Sequence, residues 1–205
     1  MEAKLLSLIK SVSQGSMSIQ DAWFQYSGYI ESLNPHLLNS PQECIALGAL
    51  YFRYSQYLYS DGYIDKAITM VSKAINVHHN ATVTLPSGNY SSNLTTLLEF
   101  RSNLYYARED YVSCFKDMRE LRQLHPYKDE YLVNIKGCFK ALLHKICVPI
   151  YISVGILWLL MLADLYLLHF GIFSGVLWHI AWTIWLLAIL SQYTLPWILF
   201  KLGKL

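Results

Sequence analysis

The chain has 205 residues, with 16 Lys and Arg against 14 Asp and Glu, and 54 % of its side chains are hydrophobic. That near-neutral balance, with no basic stripe, excludes the usual electrostatic footprint of a nucleic-acid binder. The charge is also unevenly spread: after Lys145 only Asp164, Lys201 and Lys204 carry it, so residues 1–145 hold 14 basic and 13 acidic side chains.

The opening MEAKLLSLIKSVSQGS has only short apolar pairs, broken every few residues by Lys or Ser, and so lacks a signal-peptide core. Hydrophobic spacing then stays helical through residue 145. It predicts helices at about 2–13, 19–33, 41–60, 63–77, 92–107, 110–124 and 128–146. "SIQD" at 18–21 and "SPQE" at 40–43 each offer a serine cap with an acid three residues on, and Pro41 takes the favoured first helical position. "SLNPH" ends the helix before it at Pro35. The stretch "NATVTLPSGNYSSN" at 80–93 has few helix formers and reads as a loop between two helix pairs. The four cysteines show no metal-type spacing and suit buried thiols in a reducing compartment.

A repeat runs through this front portion with a constant offset of 47 residues. It places Ile64 on Tyr111, Ala67 on Cys114, Val71 on Met118, Ala74 on Leu121 and His79 on Pro126. In the preceding helices Gln56 falls on Asn103 and Tyr59 on Tyr106. Small residues where one helix crosses the next, each followed a turn later by a large apolar one, let hairpins stack and bury together what one alone could not.

Gly62, Ile64, Ala67, Val71 and Ala74 stand at the spacing of the tetratricopeptide repeat, which this segment resembles. In the second copy Glu109 replaces the glycine and Cys114 and Leu121 replace the alanines, while Tyr111 and Pro126 fit. The resemblance covers about residues 42–127, with pairs at about 42–79 and 92–127 and the loop 80–91 between them. It implies a concave groove for an extended peptide or partner helix, lined by Phe52, Gln56 and Tyr59 from one pair and Glu99, Asn103 and Tyr106 from the next. Aromatics beside amides suit a peptide, the rings covering apolar side chains and the amides pairing with its backbone. The Lys/Asn set with which chaperone-binding members clamp a terminal carboxylate is missing, because Phe52 and Gln56 stand where charge is needed.

From Ile146 to Phe200 the only formal charge is Asp164. Since a helix crosses the hydrocarbon core with about 20 apolar residues, this length predicts two spans, at about 148–170 and 176–195, turned at "GIFSG". Residues 149–170 include about a dozen Leu, Ile, Val and Phe at roughly −0.3 to −0.6 kcal/mol each, which outweighs about 2.5 to 3.5 kcal/mol for one aspartate. Lys136, Lys140 and Lys145 precede the first span, Lys201 and Lys204 follow the second, and the turn has no basic residue, so both termini are expected in the cytoplasm. The sequons at Asn80, Asn89 and Asn93 then never meet the glycosylation machinery and read as polar loop residues. A carboxyl in lipid turns inward and pairs, and the nearest candidates across the hairpin are His179 and Thr183. Three readings of Asp164 stand: a structural lock between the helices, a contact to a partner membrane protein, and proton chemistry. Trp178, Trp182 and Trp185 share one face of the second span.

No phosphate loop, nucleophile elbow or zinc-protease motif occurs, and His78-His79 has no obvious ligand partners, so neither metal nor cofactor is expected. The fold class expected is all-α: TPR-like helical hairpins over 1–145, followed by a two-helix transmembrane hairpin over 146–205. The expected function is non-enzymatic, a membrane-anchored scaffold or adaptor holding a protein or peptide partner at the cytoplasmic face. Two rivals are an accessory subunit of a membrane complex acting through its hairpin, and an intramembrane enzyme or proton-coupled element centred on Asp164 and His179.

Overall fold

A computed structural model of the chain describes residues 2–34, 38, 40–84, 91–163 and 176–201. Every regular element among them is an α-helix: α1 (Glu2–Ser13), α2 (Ile19–Ser32), α3 (Pro41–Ser60), α4 (Ile64–Thr84), α5 (Ser91–Ala107), α6 (Tyr111–Leu124), α7 (Asp129–Ala163) and α8 (Val176–Lys201). They form two compact units, 1–128 and 129–205.

Local chemistry sets the starts in the first unit. The Ser18 hydroxyl accepts the Asp21 backbone N–H at 3.0 Å, Ser40 accepts that of Glu43 at 3.2 Å, and Pro41 sits where its missing N–H is not needed. The core is then built by successive packing of α3 on α4, α4 on α5 and α5 on α6, with α1 and α2 both lying against α3. Trp23 of α2 stacks on Tyr54 of α3, ring centroids 4.0 Å apart. Leu47 and Leu50 of α3, Val71 and Ala74 of α4, Leu98 of α5 and Leu121 of α6 are fully enclosed.

The two helix pairs α3–α4 and α5–α6 close with the same turn. Gly62 N–H bonds to the Tyr59 carbonyl at 3.0 Å and Tyr63 N–H to that of Leu58 at 2.8 Å, a Schellman cap with Gly62 at φ 82°. Forty-seven residues on, Glu109 N–H meets Tyr106 at 3.0 Å and Asp110 N–H meets Tyr105 at 2.8 Å, with Glu109 at φ 61°. The offset holds in the core as well. Ser55 and Ser102 are both fully buried, and each donates its hydroxyl to the carbonyl three residues back, of Phe52 and Glu99. Ala67 and Cys114, and Ala74 and Leu121, are enclosed at matching positions.

Two boundaries differ from the expectation. The fourth helix runs on to Thr84, so Asn80 is helical rather than part of a loop, and Asn93 lies in α5; Asn89 lies outside the described residues. Buried Val77, His78 and Ala81 explain the extension, since their packing outweighs weak local helix preference. The second difference is that residues 129–146 and the described part of the expected first span, as far as Ala163, are one continuous helix, α7, and the compact units part at 128/129 rather than 145/146. Pro149 sits inside α7 without ending it, and the Ser153 hydroxyl bonds to the Pro149 carbonyl at 2.8 Å.

In the second unit α7 and α8 pack antiparallel, Cys147 lying by the Ala188 carbonyl (Sγ to O 3.9 Å) and Trp158 edge-on to Trp182 (5.5 Å). Their seam is made of buried Cys147, Val154, Ala181 and Ala188, recurring every seven residues on each helix, small side chains that let two helices approach closely. One described helical stretch, Asp129–Leu160, is long and apolar enough to cross a membrane, and only 17 % of its most apolar part is buried.

Candidate functional site

The two first helices of the pairs carry the residues expected to line a groove. Phe52 and Tyr59, two turns apart on α3, both meet Phe100 of α5 edge-on, at 5.4 and 6.0 Å. Phe100 is thus the link between them, and it was hidden in the sequence because the 47-residue offset sets it against Arg53. Gln56, on the same helix, faces a depression of ≈ 560 Å³ that it shares with Arg53, Tyr57 and the α1–α2 turn. On α5, Glu99 is half-buried, and Asn103 and Tyr106 are exposed. Tyr106 packs edge-on against Tyr111 of its own partner helix, at 5.4 Å, instead of joining the Phe100 cluster. The structure therefore brings together Phe52, Tyr59 and Phe100, and sets Gln56 and Tyr106 against other neighbours.

Next to Phe100 in sequence, Arg101 makes a buried ion pair. Arg101 of α5 donates to both carboxylate oxygens of Asp117 of α6, at 2.8 and 2.7 Å, and to the Ser72 hydroxyl of α4 at 3.2 Å. Three helices are fixed by one guanidinium whose fork matches a carboxylate. Both side chains are well buried. Desolvation pulls Arg101 down, but the hydrogen bonds and charge of Asp117 overcome it and hold the guanidinium above its ordinary value. At Asp117 desolvation prevails over the arginine and raises the carboxyl.

His78 of α4 is enclosed against Gly48 of α3, where a Cβ would stand 2.7 Å from the ring Nε2. It adjoins a small cavity of ≈ 170 Å³ that also touches Phe52, Asn93 and Leu97. Burial, with His79 beside it, pushes His78 down to about 4. At the same place in the second pair, His125 Nε2 and the Thr95 hydroxyl share a hydrogen bond of 2.7 Å. Among the described residues no group of three or more His, Cys, Asp or Glu is placed to hold a metal ion.

Of the expected intramembrane polar set, Asp164 lies outside the described residues. His179 is exposed, and the Thr183 hydroxyl donates to the His179 carbonyl one turn back at 2.7 Å. Trp182 and Trp185 meet edge-on at 5.1 Å, and the Trp178 side chain is outside the described set.

No protein-family model, no curated protein and no solved structure matches the chain.

Proposed function

We propose that the chain is a membrane-anchored scaffold. On this reading a TPR-like pair of helical hairpins presents the Phe52–Phe100–Tyr59 surface, with Gln56, Glu99, Asn103 and Tyr106 at its margins, to a protein or peptide partner. Helices α7 and α8 form a two-span hairpin, both termini are cytoplasmic, and the chain performs no chemistry of its own.

One observation carries the membrane half: beyond Lys145, most of the side chains that α7 exposes are large and apolar. Ile152, Ile156, Leu159 and Leu160 are each more than half exposed, and α8 adds Leu186 and Leu187. A core helix of a water-soluble protein buries such side chains, and an apolar face this large in water drives association. From Ile146 to Ala163, 18 residues pass without a charge, about 27 Å of helix and close to a hydrocarbon core of about 30 Å. The repeat half is supported by the constant offset in caps, buried serines and crossing residues.

Expression of the intact chain with an epitope at either end tests the anchor. Resistance to alkaline carbonate extraction, with both tags cut by protease in sealed vesicles, is the expected result; a protected tag or sugar on Asn89 overturns the topology. Affinity capture from membranes in mild detergent tests the scaffold: Tyr59→Ala with Phe100→Ala is expected to release the partner. If those substitutions leave capture intact while substitutions on the exposed face of α8 abolish it, the accessory-subunit reading replaces this one.

A further inference from the structure

On α3, Arg53, Gln56, Tyr57 and Ser60 follow one another at helical spacing and so share one face. That face is one wall of the ≈ 560 Å³ depression; Val12 at the end of α1, with Met17 and Ile19 at the start of α2, supplies the other. The volume is that of a ligand site rather than of a packing gap.

Charge selects the occupant. Arg53 is exposed, and it is the one charged side chain among those that line the depression. It has no ion-pair partner among the described residues, whereas Lys73, Arg101 and Arg108 each hold a carboxylate. The acids that flank the lining residues are taken by hydroxyls and do not line the space: the Asp21 carboxylate accepts the Ser18 hydroxyl at 2.6 Å, and Asp61 accepts that of Tyr57. Gln56, exposed one turn on from Arg53, adds an amide donor. A guanidinium fork beside an amide fits a carboxylate, and the apolar wall fits the aliphatic part of a chain that carries one.

The depression adjoins the aromatic surface. Arg53 stands about 100° round α3 from Phe52, with Gln56 between them, an arc of about 9 Å at the side-chain radius of a helix. About three residues of an extended peptide cover that arc. We propose that the depression takes an acidic side chain of the partner peptide, placed about three residues from the apolar one that meets Phe52 and Tyr59. The inference rests on the scaffold reading and gives its partner a direction: the charged part lies toward the α1–α2 turn and the apolar part toward α5.

The test uses the full chain in mild detergent and short fluorescent peptides, blocked at both ends, that carry a Leu and a Glu about three residues apart in a Gly/Ser background. The same peptide with Gln for Glu is expected to bind about fivefold more weakly at low salt, the size of an exposed charge pair, and the gap is expected to close as salt rises. Arg53→Gln is expected to abolish the difference between the two peptides, while Arg119→Gln, at an exposed arginine of α6 outside the depression, keeps it. Equal binding of the two peptides by the wild-type chain, or binding of neither, overturns the proposal even if the Arg53 variant fails to fold. Loss of the difference in Arg119→Gln overturns it as well, and so does displacement of the Glu peptide by free glutamate at equal concentration, which makes the site one for small anions. Failure of the aromatic surface shows separately: Tyr59→Ala with Phe100→Ala then leaves the affinity of the Glu peptide unchanged while Arg53→Gln still lowers it.

Discussion

The pairs α3–α4 and α5–α6 reach the same geometry by different chemistry. The first relies on absent side chains: Gly62 takes the left-handed cap at φ 82°, Ala67 and Ala74 line the crossing, and Gly48 lets the His78 ring lie against α3. The second fills each of those places with something larger, Glu109, Cys114, Leu121 and Thr95. It compensates with polar ties, the Arg101–Asp117–Ser72 network and the Thr95–His125 hydrogen bond. Helix crossing thus needs a given separation and a satisfied interior, and either small residues or paired polar ones provide it.

The contrast breaks most severely at Asp117. Asp117→Ala strands a buried guanidinium, an expected loss of about 3–5 kcal/mol, whereas Arg101→Leu together with Asp117→Leu is expected to recover most of it. Pulsed thiol labelling of the full chain across a urea gradient reads this out, because Cys44 of α3 and Cys114 of α6 are both buried thiols outside any disulfide. Cys114 is expected to become reactive at lower urea than Cys44; equal shifts at both thiols make the two pairs one cooperative body.

The next effect belongs to the first pair. His78 is buried neutral with its pKa lowered to about 4, against 6.5 when unfolded. The unfolded chain therefore takes up a proton that the native one refuses as pH falls through 6.5, and stability drops until pH reaches about 4. The full drop is about 3 kcal/mol from this residue. Urea midpoints followed at Cys44 between pH 7 and pH 4.5 are expected to fall, and His78→Leu to flatten that part of the dependence. At the matching contact sites the effects are smaller. Gly48→Ala pushes the ring toward the adjoining cavity at about 1–2 kcal/mol, and Thr95→Val loses one hydrogen bond, about 1 kcal/mol.

Features set by neighbours along the chain were legible in the sequence. The serine caps at 18 and 40 and Pro41 at its helix start rest on residues a turn or less apart, the all-helical class follows from apolar spacing over a few turns, and the repeat offset needs only the chain set against itself. Features set by packing were not. α4 extends through Thr84 because Val77 and Ala81 find a core, and α7 passes Pro149 unbroken, neither of which propensity reports. Arg101 and Asp117 lie on different helices, 16 residues apart, with nothing local to join them. Phe100 likewise becomes the centre of the Phe52–Tyr59 surface only once α5 lies across from α3. His78 and His125 obey the offset, yet one touches a glycine and the other a threonine, so neither is marked by its neighbours in sequence.

The smallest test goes to the turn itself. In both pairs the residue at the helix C′ position donates its N–H to a carbonyl three residues back and must adopt positive φ to do so. Glycine enters that region freely, while a side chain there is crowded by the carbonyl that follows, at roughly 1–2 kcal/mol. Gly62→Ala is therefore expected to destabilise the first pair by about 1 kcal/mol. Glu109→Gly is expected to stabilise the second by somewhat less than the strain it relieves, about 0.5–1 kcal/mol, because glycine also gains freedom in the unfolded chain. A cycle of the two substitutions, followed at Cys44 and Cys114, separates a purely local effect from one that spreads. Opposite signs confined each to its own thiol mean that the Schellman turns are independent copies of one device; a gain from Glu109→Gly felt equally at Cys44 means that the second turn limits the cooperative opening of both pairs.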